Sequence, residues 1–378
     1  MLDAAVSQIA FSAAESGWLP DSLTRIGIRR LLRKRLHALR ASSPQQAEGR
    51  RREFLNRCAQ SRIAEVPQKA NEQHYEVPAK FFEQALGPHL KYSCCHWGPN
   101  TSTLQQAEQE ALSITCERAG LQDGMEILEL GCGWGSLSLW MADHFPNAKI
   151  VAVSNSQPQR HYIETEAAKR GITNLSVLTV DINDLAIGPQ GLTRVACDGG
   201  PIGPQGLTRV ACGGGPMSKS FDRVVSVEMF EHVRNHAELL RRVASWLKPD
   251  GKLFVHIFAH KHQPYFFEDD RNWMTRHFFA GGIMPSEDLL SNYQHDLRLA
   301  EQWRWSGTHY ERTCNAWLQL TDERKACILP CLKETYGEAN AFRWLQRWRI
   351  FFMACAELFG YDGGNEWGVC HYLFEKPE

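Results

Sequence analysis

Glu228, Glu231 and His232 stand close together in Phe221-Asp-Arg-Val-Val-Ser-Val-Glu-Met-Phe-Glu-His232. Carboxylates and a neutral imidazole are the groups that accept a proton near neutral pH. If a helix starts directly after the apolar run, Glu228 and His232, four apart, share one face, and Glu231 lies one turn from Glu228. Such a face could draw in a cationic amine and relieve it of its proton. The plainer use of the same acids is to complement the dipole of a helix N-terminus. A second constellation lies upstream, in Ile127-Leu-Glu-Leu-Gly-Cys-Gly-Trp-Gly-Ser136. Glu129 ends an apolar run, and Gly131, Gly133 and Gly135 follow at alternate positions. Glycines let the backbone turn sharply and approach a ligand. Backbone N–H groups at a following helix start can hold a polar or negative group, and Glu129 can receive an ammonium or hydroxyl.

The elements that must position these residues alternate between the periods of strand and helix. A helix over about 105–119 precedes strand one (126–130) and a helix over 134–144. Strand two (149–153) and a helix over 157–170 follow, then strand three (174–180), strand four (221–227) and strand five (252–258), the last after a Lys248-Pro-Asp-Gly251 turn. His371 to Glu375 reads as a terminal strand. Strands alternating with helices imply an α/β fold with a mainly parallel sheet. Ligands then bind beyond the carboxyl ends of the strands, where Glu129, Ser154, Asp181 and Glu228 fall. One segment breaks the pattern: Ile187–Pro201 is repeated in Ile202–Pro216 with one change, Asp198 against Gly213. Its Gly and Pro content suits neither helix nor sheet interior, so it is expected to be a tandem insertion outside the core.

A dinucleotide loop is spaced G-x-G-x-x-G, with an acid about twenty residues on. Here the spacing is G-x-G-x-G, and strand two runs into Ser154, Asn155 and Ser156 without an acid. The loop with Glu129 before it resembles the S-adenosylmethionine (SAM) loop of the Rossmann-like methyltransferases. Further stretches agree in order: His74-Tyr75-Glu76, Tyr92-Ser93-Cys94, the glycine loop, the Glu228–His232 run and His309-Tyr310. Together they resemble the cyclopropane fatty acid synthase superfamily. Within it, Ala70–Glu76, Leu90–Cys95, Trp273–Phe279 and Trp348–Phe352 with Ala356–Tyr361 are most similar to the coclaurine N-methyltransferase branch. The likeness runs from about residue 18 to the end, apart from 187–216.

The resemblance implies a Rossmann-like class I methyltransferase sheet, with an N-terminal helical cap over 1–85, a catalytic domain over 86–378 and a substrate lid inserted after strand five over about 260–320. SAM is the implied cofactor. Tyr92 and Ser93 are expected at its carboxylate. Glu129, Gly131, Gly133 and Gly135 are expected at its methionine part, Ser154, Asn155 and Gln159 at ribose and adenine, and Asp181 and Ile182 at the adenine edge. The implied reaction transfers a methyl group to the nitrogen of a small aromatic or cyclic amine, with Glu228, Glu231 and His232 handling the proton. Tyr75, His256, Tyr310, Trp348 and Phe351 are the expected substrate residues, although His256 could equally be a core histidine. The cyclopropane branch instead uses a carbonate-type ion as base and modifies unsaturated acyl chains. Cys94, Glu231, His256 and Tyr310 match its anion cage in type. Glu228 stands where that branch usually has Gly, and Phe258 where it usually has Ile; an extra carboxylate would repel a bound anion.

The whole chain narrows the setting. Its 378 residues are 43% hydrophobic with a formal net charge of -1, which makes no general case for a nucleic-acid partner. No apolar run reaches the roughly eighteen residues a membrane helix needs. The first twenty residues carry Asp3 and Glu15 and no basic run, so no secretory signal and a cytoplasmic place are expected. The twelve cysteines form no zinc-like pattern, so no metal is expected. Residues 23–39 form a basic amphipathic helix, expected to pack on the protein rather than on a membrane, and a homodimer is left open.

Overall fold

The computed structural model of the chain describes residues 11–65, 78–188, 191–194, 220–268 and 272–377, the side chains of 187–188 and 191–194 excepted. Tyr75, with the motif around it, and most of the tandem repeat lie outside the described residues.

Residues 11–15 are helical, and α1 (Asp21–Leu39) and α2 (Pro44–Gln60) follow. Helix α2 starts where its sequence provides a start: Pro44 pre-sets the first turn, and the Ser43 side chain accepts from the Gln46 N–H. The short α3 (Ala79–Ala85) follows. Helix α4 (Leu104–Arg118) begins with a reciprocal capping box between Thr103 and Gln106.

The sheet then builds. Strand β1 (Glu126–Leu130) leads through the glycine loop to α5 (Ser136–His144), β2 (Lys149–Ser154) to α6 (Gln157–Arg170), and β3 (Leu175–Thr179) follows. A separate ribbon pairs β4 (Leu185–Gly188) with β5 (Gly191–Arg194), at the start of the first repeat copy. Strand β6 (Phe221–Val227) precedes α7 (His236–Trp246) and β7 (Leu247–His260). A small hairpin of β8 (Tyr265–Phe266) and β9 (Ile283–Met284) encloses α8 (Trp273–His277). The chain closes with β10 (Arg298–Ser306), three helices α9 (Gly307–Glu323), α10 (Lys325–Tyr336) and α11 (Glu338–Phe359), and β11 (Trp367–Glu375).

The seven-stranded sheet has the order β10-β11-β7-β6-β1-β2-β3. β1, β2, β3, β6 and β7 pair in parallel, and β11 runs antiparallel between β7 and β10. Chain order reverses between β1 and β6, which opens a crevice at their carboxyl ends.

Two expectations change. Lys248–Gly251 does not precede the fifth strand as a turn. It bulges within β7, whose pairing jumps from Leu247 to Lys252 against Phe221 and Arg223. The span expected as a lid also divides. Arg298–Ser306 is an edge strand of the main sheet, and α9 follows it. The exposed residues along β10 hide it from a hydrophobic reading, because an edge strand contacts the core on few positions.

Candidate active site

The glycine loop lines a chamber at the switch point. Gly131, Gly133 and Gly135 all have left-handed backbones, with φ of 79°, 52° and 81°. A Cβ on Gly131 would lie 2.6 Å from Met229, and one on Gly135 would lie 2.6 Å from Ile163. A Cβ on Gly133 would meet nothing within 4 Å and would project into open space. That space is shared by two adjoining hollows. One is lined by Tyr92, Ser93, Glu129, Gly133 and Trp134, the other by Ser154, Asn155, Gln159, Ile182 and Met229. Buried polar atoms face it without a hydrogen-bond partner among the described residues: Ser136 Oγ, Trp134 Nε1 and Gln159 Nε2. The Ser154 hydroxyl donates to Gln159 Oε1 at 2.7 Å, which leaves the amide N–H₂ for a ligand acceptor. Glu129 is buried and accepts from the Ser138 hydroxyl; burial pushes its carboxyl up to about 7. The residues therefore fit SAM, with the methionine part at the Glu129 end and the adenosine at the Gln159 end.

Glu228 stands at the junction. It lines both hollows and a third, larger cavity. Its backbone is left-handed, φ 46°, a conformation that costs a non-glycine residue on the order of 1–3 kcal/mol. Its N–H donates to the His256 carbonyl at 2.8 Å. Its carboxylate collects donors from distant parts of the chain. The Cys94 N–H donates to Oε1 at 2.9 Å, His256 Nε2 lies 3.2 Å from the same oxygen, and the Tyr310 hydroxyl donates to Oε2 at 2.5 Å. A carboxylate has about four lone-pair positions. Among the described residues three are taken, and the uncommitted one is on Oε2. Burial pushes Glu228 above the usual carboxylate range, while Lys91 and these donors favour the charged form. Glu231 is also buried, with Oε2 lacking a partner among the described residues. Burial and the neighbouring Glu228 hold it well above the usual range. Of the pair, Glu228, with Lys91 and its donors beside it, is the one favoured to ionise, and Glu231 the one held protonated. Burial brings His232 down to about 4, so its imidazole is neutral at physiological pH.

The third cavity, about 690 Å³, is mostly apolar. Glu228, Glu231, His232 and Tyr310 form its polar end. Phe258, Phe279, Phe351 and Phe359 wall it, and Ile28, Leu32 and Arg35 of α1 close one side. Phe359 stacks on Tyr310 at 4.3 Å between ring centroids, and Phe279 on His232 at 5.2 Å, so the walls also orient the polar groups. Helix α1 is held there by Arg25 and Arg29, which both pair with Glu357 of α11.

Several expected site residues stand elsewhere. Gly135 lines neither hollow; it is glycine because of its φ and Ile163. The Asp181 carboxylate accepts from the Asn183 backbone and side chain, a local turn, and only its neighbour Ile182 reaches the adenosine end. Trp348 is fully buried against Phe81 and Phe278, behind the cavity wall that Phe351 forms. His256 lies outside the cavity, behind Glu228. Glu228 and His232 do not share a helical face: a short 3-10 turn, Phe230–His232, follows the strained Glu228, and α7 starts only at His236. They meet at the cavity through that turn.

One residue escaped the sequence reading. Lys91 is buried, and its ammonium donates to Ser93 Oγ at 2.6 Å and to the Cys94 carbonyl at 2.7 Å. It lines the methionine end of the chamber. Lysine is so commonly a surface residue that only its place beside Tyr92-Ser93 signals it. Glu108 pins this loop by accepting from the backbones of His89 and Lys91.

Known proteins share this arrangement. The profile of the family described as mycolic acid cyclopropane synthetase matches residues 64–190 and 212–365, skipping part of the tandem repeat. An (S)-coclaurine N-methyltransferase from Thalictrum flavum subsp. glaucum is 33% identical over 368 residues, 96% of this chain and 94% of that protein. The cyclopropane-fatty-acyl-phospholipid synthase of Escherichia coli (strain K12) is 27% identical over 76% of this chain and 63% of its own length. The crystal structure of a coclaurine N-methyltransferase bound to N-methylheliamine and SAH superposes with a TM-score of 0.87 at 31% identity, covering 98% of this chain and 100% of that one. By its sheet, its glycine loop and these matches, the chain belongs to the mycolic acid cyclopropane synthetase family and is a SAM-dependent methyltransferase.

Proposed function

We propose that the enzyme methylates the nitrogen of a small aromatic or cyclic amine of the tetrahydroisoquinoline kind, in the cytoplasm. One observation carries this reading: the buried Glu228 carboxylate lies where the cofactor chamber meets an aromatic cavity, with a single lone pair uncommitted among the described residues. The similarity to N-methyltransferases supports it.

An amine near neutral pH is mostly ammonium and lacks the lone pair that attacks. The Glu228 charge attracts that cation, and the aromatic walls favour a flat, cationic guest. SAM, when bound, supplies a methyl group on a positively charged sulfur. Glu228 Oε2 accepts the ammonium proton, and His232, neutral and beside it, orients the nitrogen. Glu231, protonated, offers a hydroxyl rather than a second negative charge. The apolar walls exclude water and hold the nitrogen in line, a positioning effect that ordinarily supplies much of the rate.

The test is product analysis by mass spectrometry after incubation with SAM. One arm offers a panel of cyclic and aromatic amines, the other vesicles of unsaturated phospholipid. N-methylated amine is expected. Methylene-bridged acyl chains with untouched amines would overturn the proposal. The assembly is open to light scattering, where a homodimer would read as twice the chain mass.

A further inference from the structure

The contacts of Glu228 continue past the site. His256 Nδ1 lies 2.9 Å from His371 Nε2, and His371 Nδ1 lies 2.8 Å from an Arg118 guanidinium nitrogen. The two histidines are cross-strand partners on β11 and β7, both fully buried. Arg118 ends α4, its guanidinium set over the rings of Trp303 and Trp305 at 4.9 and 5.7 Å.

We propose that His371 and Arg118 are positioning residues for Glu228, forming a one-way hydrogen-bond relay that keeps an N–H of His256 turned toward the carboxylate. The direction follows from donor inventory. A guanidinium has only N–H donors and does not lose its proton in proteins. His371 Nδ1 must therefore accept, so its proton is on Nε2. That proton is donated to His256 Nδ1, which places the His256 proton on Nε2, facing Glu228. Without the terminal cation either tautomer of His371 satisfies the pair. In one of them His256 turns a lone pair toward the carboxylate, which repels its charge and favours protonation. A protonated Glu228 cannot take a proton from substrate. Both imidazoles must stay neutral for this, and burial, with Lys91 and Arg118 facing them, holds both well below the usual histidine range. The charged or titratable groups around Glu228 are Lys91, Glu231, His232, His256, Tyr310, Cys94, Cys95 and Cys314; His96 and Lys91 also face His371.

The inference rests on the proposed role of Glu228, and its test separates the two. Nitrogen-15 NMR of the wild-type protein without substrate should show His256 and His371 both protonated on Nε2. His256 protonated on Nδ1 would overturn the relay whatever the protein methylates; a chain that methylates no amine would contradict the functional reading instead. In kinetics, His371→Phe should lower kcat about ten- to a hundred-fold, the range ordinary for a lost orienting partner. It should also move the acid limb of the kcat profile to higher pH, with SAM affinity unchanged. His371→Gln, whose amide accepts from Arg118 and donates to His256, should recover most of kcat and the original limb. Arg118→Met, outside the buried pair, should reproduce the His371→Phe shift in milder form. A glutamine variant as impaired as the phenylalanine one, or an unshifted acid limb in both folded His371→Phe and Arg118→Met, would show a packing role only.

Discussion

Glu228 combines a strained backbone with a carboxylate that already meets three donors, and the two features make separate predictions. Glu228→Gln keeps the shape but replaces an acceptor oxygen by an amide N–H₂ facing donors. Its kcat at neutral pH should fall about a hundred-fold or more, the usual worth of a general base. Raising the pH should restore part of it, because free amine then forms in solution; a rate indifferent to the substitution would remove Glu228 from proton transfer. Glu228→Gly should fold, since glycine takes φ 46° freely. It leaves the Cys94 N–H, His256 and Tyr310 donors converging on a space the size of a carboxylate, so added formate should recover activity that the unsupplemented variant lacks. Gly133 is the matching case in the cofactor chamber. Its Cβ space is open and its φ is 52°, so Gly133→Val both strains the loop and fills the methionine site. Calorimetric titration should detect no SAM binding to a variant whose circular dichroism is unchanged; wild-type affinity would contradict the chamber assignment.

At the scale of elements, the connection between β3 and β6 carries the tandem repeat. Leu185 at the start of β4 is buried in the core, and among the described residues the β4–β5 ribbon pairs only with itself. Matching of the family profile stops at 190 and resumes at 212. A longer loop adds closure entropy only logarithmically, on the order of 1 kcal/mol here. Deleting Ile187–Pro216 joins Ala186 to Met217 and should leave SAM affinity and turnover at least equal to the parent, with slower tryptic cleavage between β3 and β6 than the parent shows at Arg194 and Arg209. Loss of SAM binding in the deletion variant would make the repeats part of the scaffold. The cap helix α1 is different, because it walls the large cavity and is anchored by the Arg25 and Arg29 pairs to Glu357.

For the whole molecule, burial of titratable groups decides how stability follows pH. His232 and His236 are brought down to about 4, and His256 and His371 also lie well below their usual value, in each case first by burial. These imidazoles gain protons on unfolding between about pH 4 and 6.5, so stability rises with pH through that window. Glu108 and Glu129 act with the opposite sign. Raised by burial to about 7, they are protonated in the fold and ionised when unfolded above about pH 4.5, so their contribution declines as pH climbs to about 7. Glu228 and Glu231, also raised, share that sign; the lowered imidazoles, His277 and His309 among them, outnumber these carboxyls below pH 6.5, and the carboxyls act above it. Calorimetry of the protein without cofactor should find the highest Tm near pH 6.5, with lower values at 4.5 and at 8. Each kcal/mol lost corresponds to about 1–2 °C for a chain of 378 residues. A Tm still rising at pH 8 would show that the buried carboxyls titrate in their ordinary range within the fold.

The amino-acid order alone determined the parallel strands, the glycine loop and the acids at the strand ends. Those signals are local: a period of two or 3.6, a positive φ, an acid one step before a turn. Strands 126–130 and 221–227 and helix 157–170 stand where their periodicity placed them. The tandem repeat was legible in the same way. The tertiary structure alone decided how the acids are used. The donors on Glu228 come from residues 134 and 82 positions away, and no local pattern encodes such a meeting. It also decided that Phe351 faces the cavity while Trp348 lies behind it, that His256 reaches the chemistry only through Glu228, and that Arg298–Ser306 completes the sheet. Each of these depends on which face of an element meets another element. Spacing along the chain limits that choice, and packing in three dimensions makes it.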